Sequence, residues 1–285
     1  MTIFVGLGNH ETRYHNTKHN VGYWVLDSFA KKYGLEFKPG KGNYFVAKKE
    51  SSFMLIKPTT GMNNSRAIIN EVLNFYKAKK EDLVIIHFND VYNIQARKKE
   101  PVGGASRFLA KIKEIQAQRK ELNKSEPLII FSGDAFAPSV MSTLLHGKQM
   151  AATLNVIKPH VACYGNHDFD FGLETLDSLS DETTFPWLIS NCTDKAGKPL
   201  SKGLRKHIIQ WANLKIGFMG LIEKEWLATL ATIDSSDCIY EDFVSCATKL
   251  EKELRNTDQC DLVIALTHMR VPNDKRLASS VPGLD

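Results

Sequence analysis

The chain has 285 residues, 43% hydrophobic and 24% charged, a composition that suits a soluble globular protein of one large or two modest domains. No apolar run approaches the roughly 20 residues that cross a bilayer, and Thr2–Leu7 is too short and lacks the basic leader of a secretory signal. Five scattered cysteines (163, 192, 238, 246, 260), odd in number and without CxxC spacing, exclude a disulfide framework and predict reduced thiols in the cytoplasm.

In chain order, Thr2–Leu7 reads as a strand that runs into a Gly8-Asn9 loop. Val21–Tyr33 has helical spacing, with Val21, Trp24, Val25, Phe29 and Tyr33 on one face and Gly34 as the stop. Tyr44–Ala47 and Phe53–Ile56 read as a hairpin pair, Pro58–Ser65 as a loop and Ala67–Tyr76 as a helix. Leu83–Phe88 is a buried strand. Beyond it come a long helix at Ser106–Leu122, a strand at Leu128–Phe131, a helix at Val140–Ile157 and a strand at Val161–Tyr164. A strand at Lys215–Met219, a helix at Phe243–Arg255 and a strand at Leu262–Leu266 follow. This alternation predicts an α/β layered fold.

The net charge of +5 is uneven. Met1–Ile86 holds thirteen Lys/Arg against seven Asp/Glu, and the remainder twenty-four against twenty-five. A solvated lysine-rich surface and a phosphate-attracting surface for nucleic acid both fit this excess, and composition does not choose between them.

Four strands in the second part end in a metal-ligand or acid-base residue: Asn89-Asp90, Gly133-Asp134, Gly165-Asn166-His167-Asp168 and Thr267-His268. Open α/β sheets gather functional groups outside the carboxyl ends of their strands, so these tips are expected to converge. Carboxylate, amide oxygen and imidazole suit zinc, manganese, iron or similar ions, and two such ions can clamp a phosphoryl group. A lone Gly-Asp or Thr-His is most often a turn, whereas Gly-Asn-His-Asp directly after a buried strand is more specific.

HFNDVYNI, SGDAFAPS, GNHDFDFG and ALTHMR resemble, in order, the motifs of the calcineurin-like metallophosphoesterases, and above all their 5′-nucleotidase branch. The resemblance runs from about Leu83 to Asp285. It implies that Asp90 ligates a first metal, Asp134 bridges two, and Asn166 and His268 bind the second. It implies further that His167, oriented by Asp170, acts on the phosphoryl oxyanion or the leaving group. A phosphate monoester, such as a nucleotide, is the expected small substrate. Two departures weaken the expected metal binding and activity. Asp90-Val91-Tyr92 stands where the family has Asp-x-His, and the chain reaches Asp285 before any Gly-His-x-His motif.

FVGLGNHETRYHNTKHNVGYWVLD and KPTTGMNNS resemble the first half of bacterial-type peptidyl-tRNA hydrolase, over roughly Met1–His87. The resemblance implies that His19 is the general base, that Asn9 and Asn63 position substrate, and that Tyr14 lies near the tRNA end; the basic charge of this segment fits tRNA. Phe88 follows His87 where that family carries the aspartate partner of its catalytic histidine, and its later glycine-rich, Asn-bearing segment has no evident counterpart.

The expected architecture is therefore a layered α/β sandwich of metallophosphoesterase type over 83–285, incomplete at its end and preceded by a partial α/β peptidyl-tRNA hydrolase-like segment over 1–86. Its leading activity is metal-dependent phosphoesterase. The alternatives are peptidyl-tRNA hydrolysis through His19 and a catalytically impaired RNA-binding fusion. The strand at Leu83–Asp90 serves both resemblances, an awkward arrangement for a single strand in two sheets.

Overall fold

A computed structural model describes residues 2–8, 20–49, 52–59, 72, 83–99, 102–228, 230, 232 and 238–285. The chain divides into two compact units, Met1–Asp82 and Leu83–Asp285. Among the described residues no helix is long and apolar enough to cross a membrane.

In the first unit, strands β1 (Thr2–Val5), β2 (Lys38–Pro39), β3 (Tyr44–Lys49) and β4 (Phe53–Pro58) form a sheet in the order β1-β4-β3-β2. β1 runs parallel to β4 and the others are antiparallel, so β3 and β4 make the expected hairpin. Helix α1 (Val21–Lys32) buries Tyr23, Leu26 and Ala30. This corrects the face read from periodicity, because Val21 and Val25 are exposed. The rotation is set by a close approach: a Cβ on Gly6 would lie 2.3 Å from the Gly22 carbonyl oxygen. Leu26 and Ala30 then meet Ala47 and Leu55. The predicted helix at Ala67–Tyr76 lies outside the described residues apart from Val72.

The second unit is a sandwich of two sheets. Strands β5 (Ile85–Phe88), β6 (Leu128–Phe131), β7 (Val161–Cys163) and β8 (Trp187–Leu188) make a wholly parallel sheet in chain order. A short pair joins β9 (Cys192–Thr193) to β12 (Ile239–Tyr240). The other sheet has the order β10-β11-β13, from β10 (His207–Trp211), β11 (Leu214–Ile222) and β13 (Leu262–His268). Side chains alternate across each strand, and the burial divides accordingly. Leu128 and Ile130 of β6 face Ile216, Phe218 and Leu266 between the sheets. Ile129 and Phe131 face the opposite way, among residues of helices α2 (Ala105–Glu121), α4 (Lys148–Ile157) and α5 (Leu173–Glu182). Helices α6 (Phe243–Lys252) and α7 (Val271–Ser280) cover the outer face of the second sheet through Leu250 and Leu277. Each fully buried Leu, Ile or Phe contributes about 1.5–3 kcal/mol, so this layering fixes the strand ends that carry the site.

The helix predicted over Val140–Ile157 is two helices, α3 (Val140–Leu145) and α4. His146 and Gly147 between them both take positive φ, 48° and 89°, which α-helical continuation cannot accommodate. Among the described residues the strand at Leu83–Phe88 serves one sheet, in which β5 pairs with β6. Strands β8, β9, β10 and β12 and helices α5 and α7 were not read from the sequence; several are too short to show a period.

Candidate active site

The parallel register of β5, β6 and β7 places their carboxyl ends side by side, and β13 delivers His268 from the second sheet. The chain turns sharply where it leaves β5 and β6: Asp90 and Asp134 take φ values of 55° and 65°, a left-handed region that aspartate tolerates better than most residues. The two turns are tied together by the Asp90 amide on the Gly133 carbonyl, 3.0 Å, and the Val91 amide on the Asp134 carbonyl, 3.0 Å. Glycine at 165 allows the third turn to close in, because a Cβ there would fall 2.1 Å from Asp134 Oδ1.

Asp134, only 2% exposed, is the hub. Its Oδ1 accepts the His167 amide at 2.9 Å, and its Oδ2 accepts the Tyr92 hydroxyl at 2.7 Å and His268 Nε2 at 3.2 Å. The Tyr92 oxygen also lies 2.8 Å from Asp90 Oδ1, so its one proton sits between two carboxylates. Ligand atoms of Asp90, Asp134 and His268 all lie within 4.8 Å of one another. This two-carboxylate, one-imidazole donor set fits a divalent ion. His268 Nδ1 pairs with the Ser132 carbonyl at 2.7 Å, an outer contact that orients a ligating imidazole. His167 Nδ1 pairs with Asp170 Oδ2 at 2.9 Å, leaving Nε2 as the nitrogen available to a substrate. Asn166 opens the short turn Asn166–Phe169 between Gly165 and His167, so its backbone flanks Asp134.

Two positioning groups escaped the sequence reading. Asp168, 1% exposed, accepts four backbone amides: Gly165 and Asp134 on Oδ2 at 2.8 and 3.0 Å, Ala135 and Phe136 on Oδ1 at 2.8 and 3.0 Å. It thus binds two of the ligand-bearing turns to each other. Burial, and next the charge of Asp134, push its carboxyl up to about 6, against the pull of the amides. Glu223, at the end of β11, accepts the Arg270 amide, Arg270 Nε and Asn273 Nδ2 at 2.9, 2.8 and 2.6 Å, anchoring the turn that follows His268. Asp168 stands in the Gly-Asn-His-Asp motif without a role legible there, and Glu223 lies in no motif; only the fold reveals what surrounds them. Asn9, Tyr14, His19 and Asn63 lie outside the described residues.

Burial alone would lower the His268 pKa, but the hydrogen bond and charge of Asp134 raise it to about 9. Burial would raise Asp134, yet His268 and Tyr92 hold it below the usual carboxylate value. Burial, then the two carboxylates, drive the Tyr92 phenol upward. Because the folded pKa of His268 exceeds its ordinary 6.5, its pairing stabilises the metal-free fold fully below pH 6.5 and is lost as pH rises through about 9. Urea unfolding of metal-free protein should show a decline of roughly 3 kcal/mol across that window. A flat profile between pH 6.5 and 9 contradicts the assigned pair.

The family model of the calcineurin-like phosphoesterases matches residues 83–283. The chain belongs to that family. Calcineurin-like phosphoesterases use divalent metals, in keeping with the donor set at Asp90, Asp134 and His268. This phosphoesterase unit resembles the NAD nucleotidase of Haemophilus influenzae, with TM-score 0.62 and 24% identity, covering 71% of this chain and 41% of that one. It also resembles the 5′-nucleotidase precursor of Thermus thermophilus, with TM-score 0.60 and 19% identity, covering 69% and 39%. The peptidyl-tRNA hydrolase family model matches residues 3–121. The peptidyl-tRNA hydrolase of Mesomycoplasma hyopneumoniae strain 7448 is 41% identical over 126 residues, 44% of this chain and 67% of that protein. That of Chlorobium luteolum is 44% identical over 89 residues, 30% and 47%. The chain spans about half the length of several curated relatives it matches. Both matched families are hydrolases. The second match passes His87 and Gly103-Gly104, correcting the extent read from motifs alone. Residues 83–121 are thus claimed twice, and the structure assigns them to the phosphoesterase unit.

Proposed function

We propose that the chain is a metal-dependent phosphoesterase that hydrolyses a phosphate monoester, with a nucleotide as the favoured substrate class. Asp90, Asp134, Asn166 and His268 would hold two divalent ions, with Asp134 between them. The observation that carries this reading is the convergence of Asp90, Asp134 and His268, from three separate strand ends, within 4.8 Å. The fold relatives, an NAD nucleotidase and a 5′-nucleotidase precursor, support the nucleotide class.

Divalent ions bound there would polarise the phosphoryl oxygens and lower the pKa of a bound water. The protein's own groups do the rest. The Ser132 carbonyl keeps the His268 ring turned with Nε2 toward Asp134. Asp170 fixes the His167 ring, whose Nε2 is then placed to hydrogen-bond a phosphoryl oxygen or protonate the departing alkoxide. Asp168 holds the turns at the spacing both tasks need. Tyr92, in place of the family's histidine, contributes an oxygen between the carboxylates. The test is cleavage of p-nitrophenyl phosphate by metal-stripped protein before and after addition of manganese or zinc. Metal-activated release of nitrophenolate supports the reading; activity that ignores added metal and chelator opposes it.

A second reading rests on the 41% identity to a peptidyl-tRNA hydrolase. In it His19 activates water against the ester between peptide and tRNA, with Asn9, Tyr14 and Asn63 binding substrate. His19→Ala should then abolish release of peptide from charged tRNA, and a chelator should not affect that release. No release by the unaltered chain, or equal release by the variant, rules this reading out.

A further inference from the structure

A cavity of about 580 Å³ opens beside the cluster of Asp90, Asp134 and His268, and Asp90 and Tyr92 belong to its lining. Its wall is formed by the end of β5, the loop that follows it, and helices α2 and α4. Phe88, Phe108, Met150 and Ile157 line it. The rings of Phe88 and Phe108 stand edge to face, 4.9 Å apart. Polar groups from the 93–97 loop and Thr153 interrupt this mainly apolar surface. The loop is held over the cavity by its own hydrogen bonds, Arg97 amide to Val102 carbonyl at 2.7 Å and Ala105 amide to Ile94 carbonyl at 2.9 Å.

We infer that this cavity receives the leaving group of the ester and selects one that carries an aromatic ring, as a nucleoside does; the inference rests on the phosphoesterase reading. Tyr92 belongs to the cavity wall and its ring lies 6.1 Å from that of His167, so a leaving group whose oxygen faces His167 borders the cavity. The volume suits a bicyclic ring system. Aromatic edges and a thioether give such a ring offset and sulfur contacts. A polyhydroxylic alcohol with no ring would strip water from its hydroxyls against Phe88, Phe108 and Ile157 and bring no apolar face to them.

Two measurements on the full chain test this. With manganese present, kcat/KM is compared for 1-naphthylmethyl phosphate and glycerol 2-phosphate, both esters of alkanols with similar leaving ability; without metal, 1-naphthol binding is followed by its fluorescence. Thr153→Trp fills the cavity from α4, and Val102→Trp fills it from the loop should the first variant fold poorly. The naphthylmethyl ester should be preferred by about tenfold or more, and either variant should remove that preference and weaken naphthol binding. Equal kcat/KM for the two esters, with naphthol binding absent or unaffected by both variants, overturns the cavity's role and leaves the phosphoesterase reading intact. If neither ester is cleaved, yet naphthol binds and the variants abolish this binding, the aromatic site stands and the phosphoesterase reading falls.

Discussion

Asp134→Asn should eliminate metal-dependent phosphoester cleavage, by at least about a thousandfold or some 4 kcal/mol of transition-state stabilisation. The same change should abolish the rise in melting temperature on adding manganese. Asp134 meets three donors at once, from Tyr92, His268 and the His167 amide. Asparagine keeps the shape but loses the negative charge, and its amide nitrogen would present hydrogens to groups that already donate. Without that charge, Asp90, Asn166 and His268 are left to share two ions, too few donors to compete with water. Retention of both cleavage and the metal-induced shift by this variant would show that the strand tips are not the site.

Asp168→Ala should cost about 3–5 kcal/mol of stability at neutral pH, measured by urea unfolding. Four backbone amides, those of residues 134, 135, 136 and 165, point at this one buried carboxylate. Each amide left without a partner in a dry interior costs on the order of 1–3 kcal/mol. The upward push on the Asp168 carboxyl offsets part of the gain, which keeps the net figure below the sum. The turns bearing Asp134 and His167 would separate as a consequence, so metal-dependent cleavage should fall with stability. A change within about 0.5 kcal/mol, as for a surface substitution, would show that water replaces the carboxylate and that Asp168 holds nothing together.

The legible part of this molecule was its ligand-bearing strand ends. Apolar runs such as Leu128–Phe131 and Leu262–Leu266 read clearly as strands, and four of them leading into ligand-type residues point together to one site. The hairpin at Tyr44–Pro58 was visible because two short apolar runs flank the polar segment Lys48–Ser52. What escaped notice depended on contacts remote in sequence. The buried face of α1 follows from Gly6 meeting Gly22, and no periodicity in Val21–Tyr33 reports that approach. The break between α3 and α4 comes from two positive-φ residues within an otherwise helical pattern. Asp168 looked like part of a motif's tail, and its four amide partners become apparent only when β6 and β7 lie side by side. Tyr92 was recognised as a departure, but its position between two carboxylates required the turn at Asp90.

Anomalous diffraction from crystals soaked in manganese should show a peak among Asp90, Asp134 and His268, within ligand-bond distance of their oxygen and nitrogen atoms and absent from Asp134→Asn crystals. A fully occupied ion bound elsewhere, with those three side chains still paired through Tyr92 and the His268 proton, would contradict the assigned site.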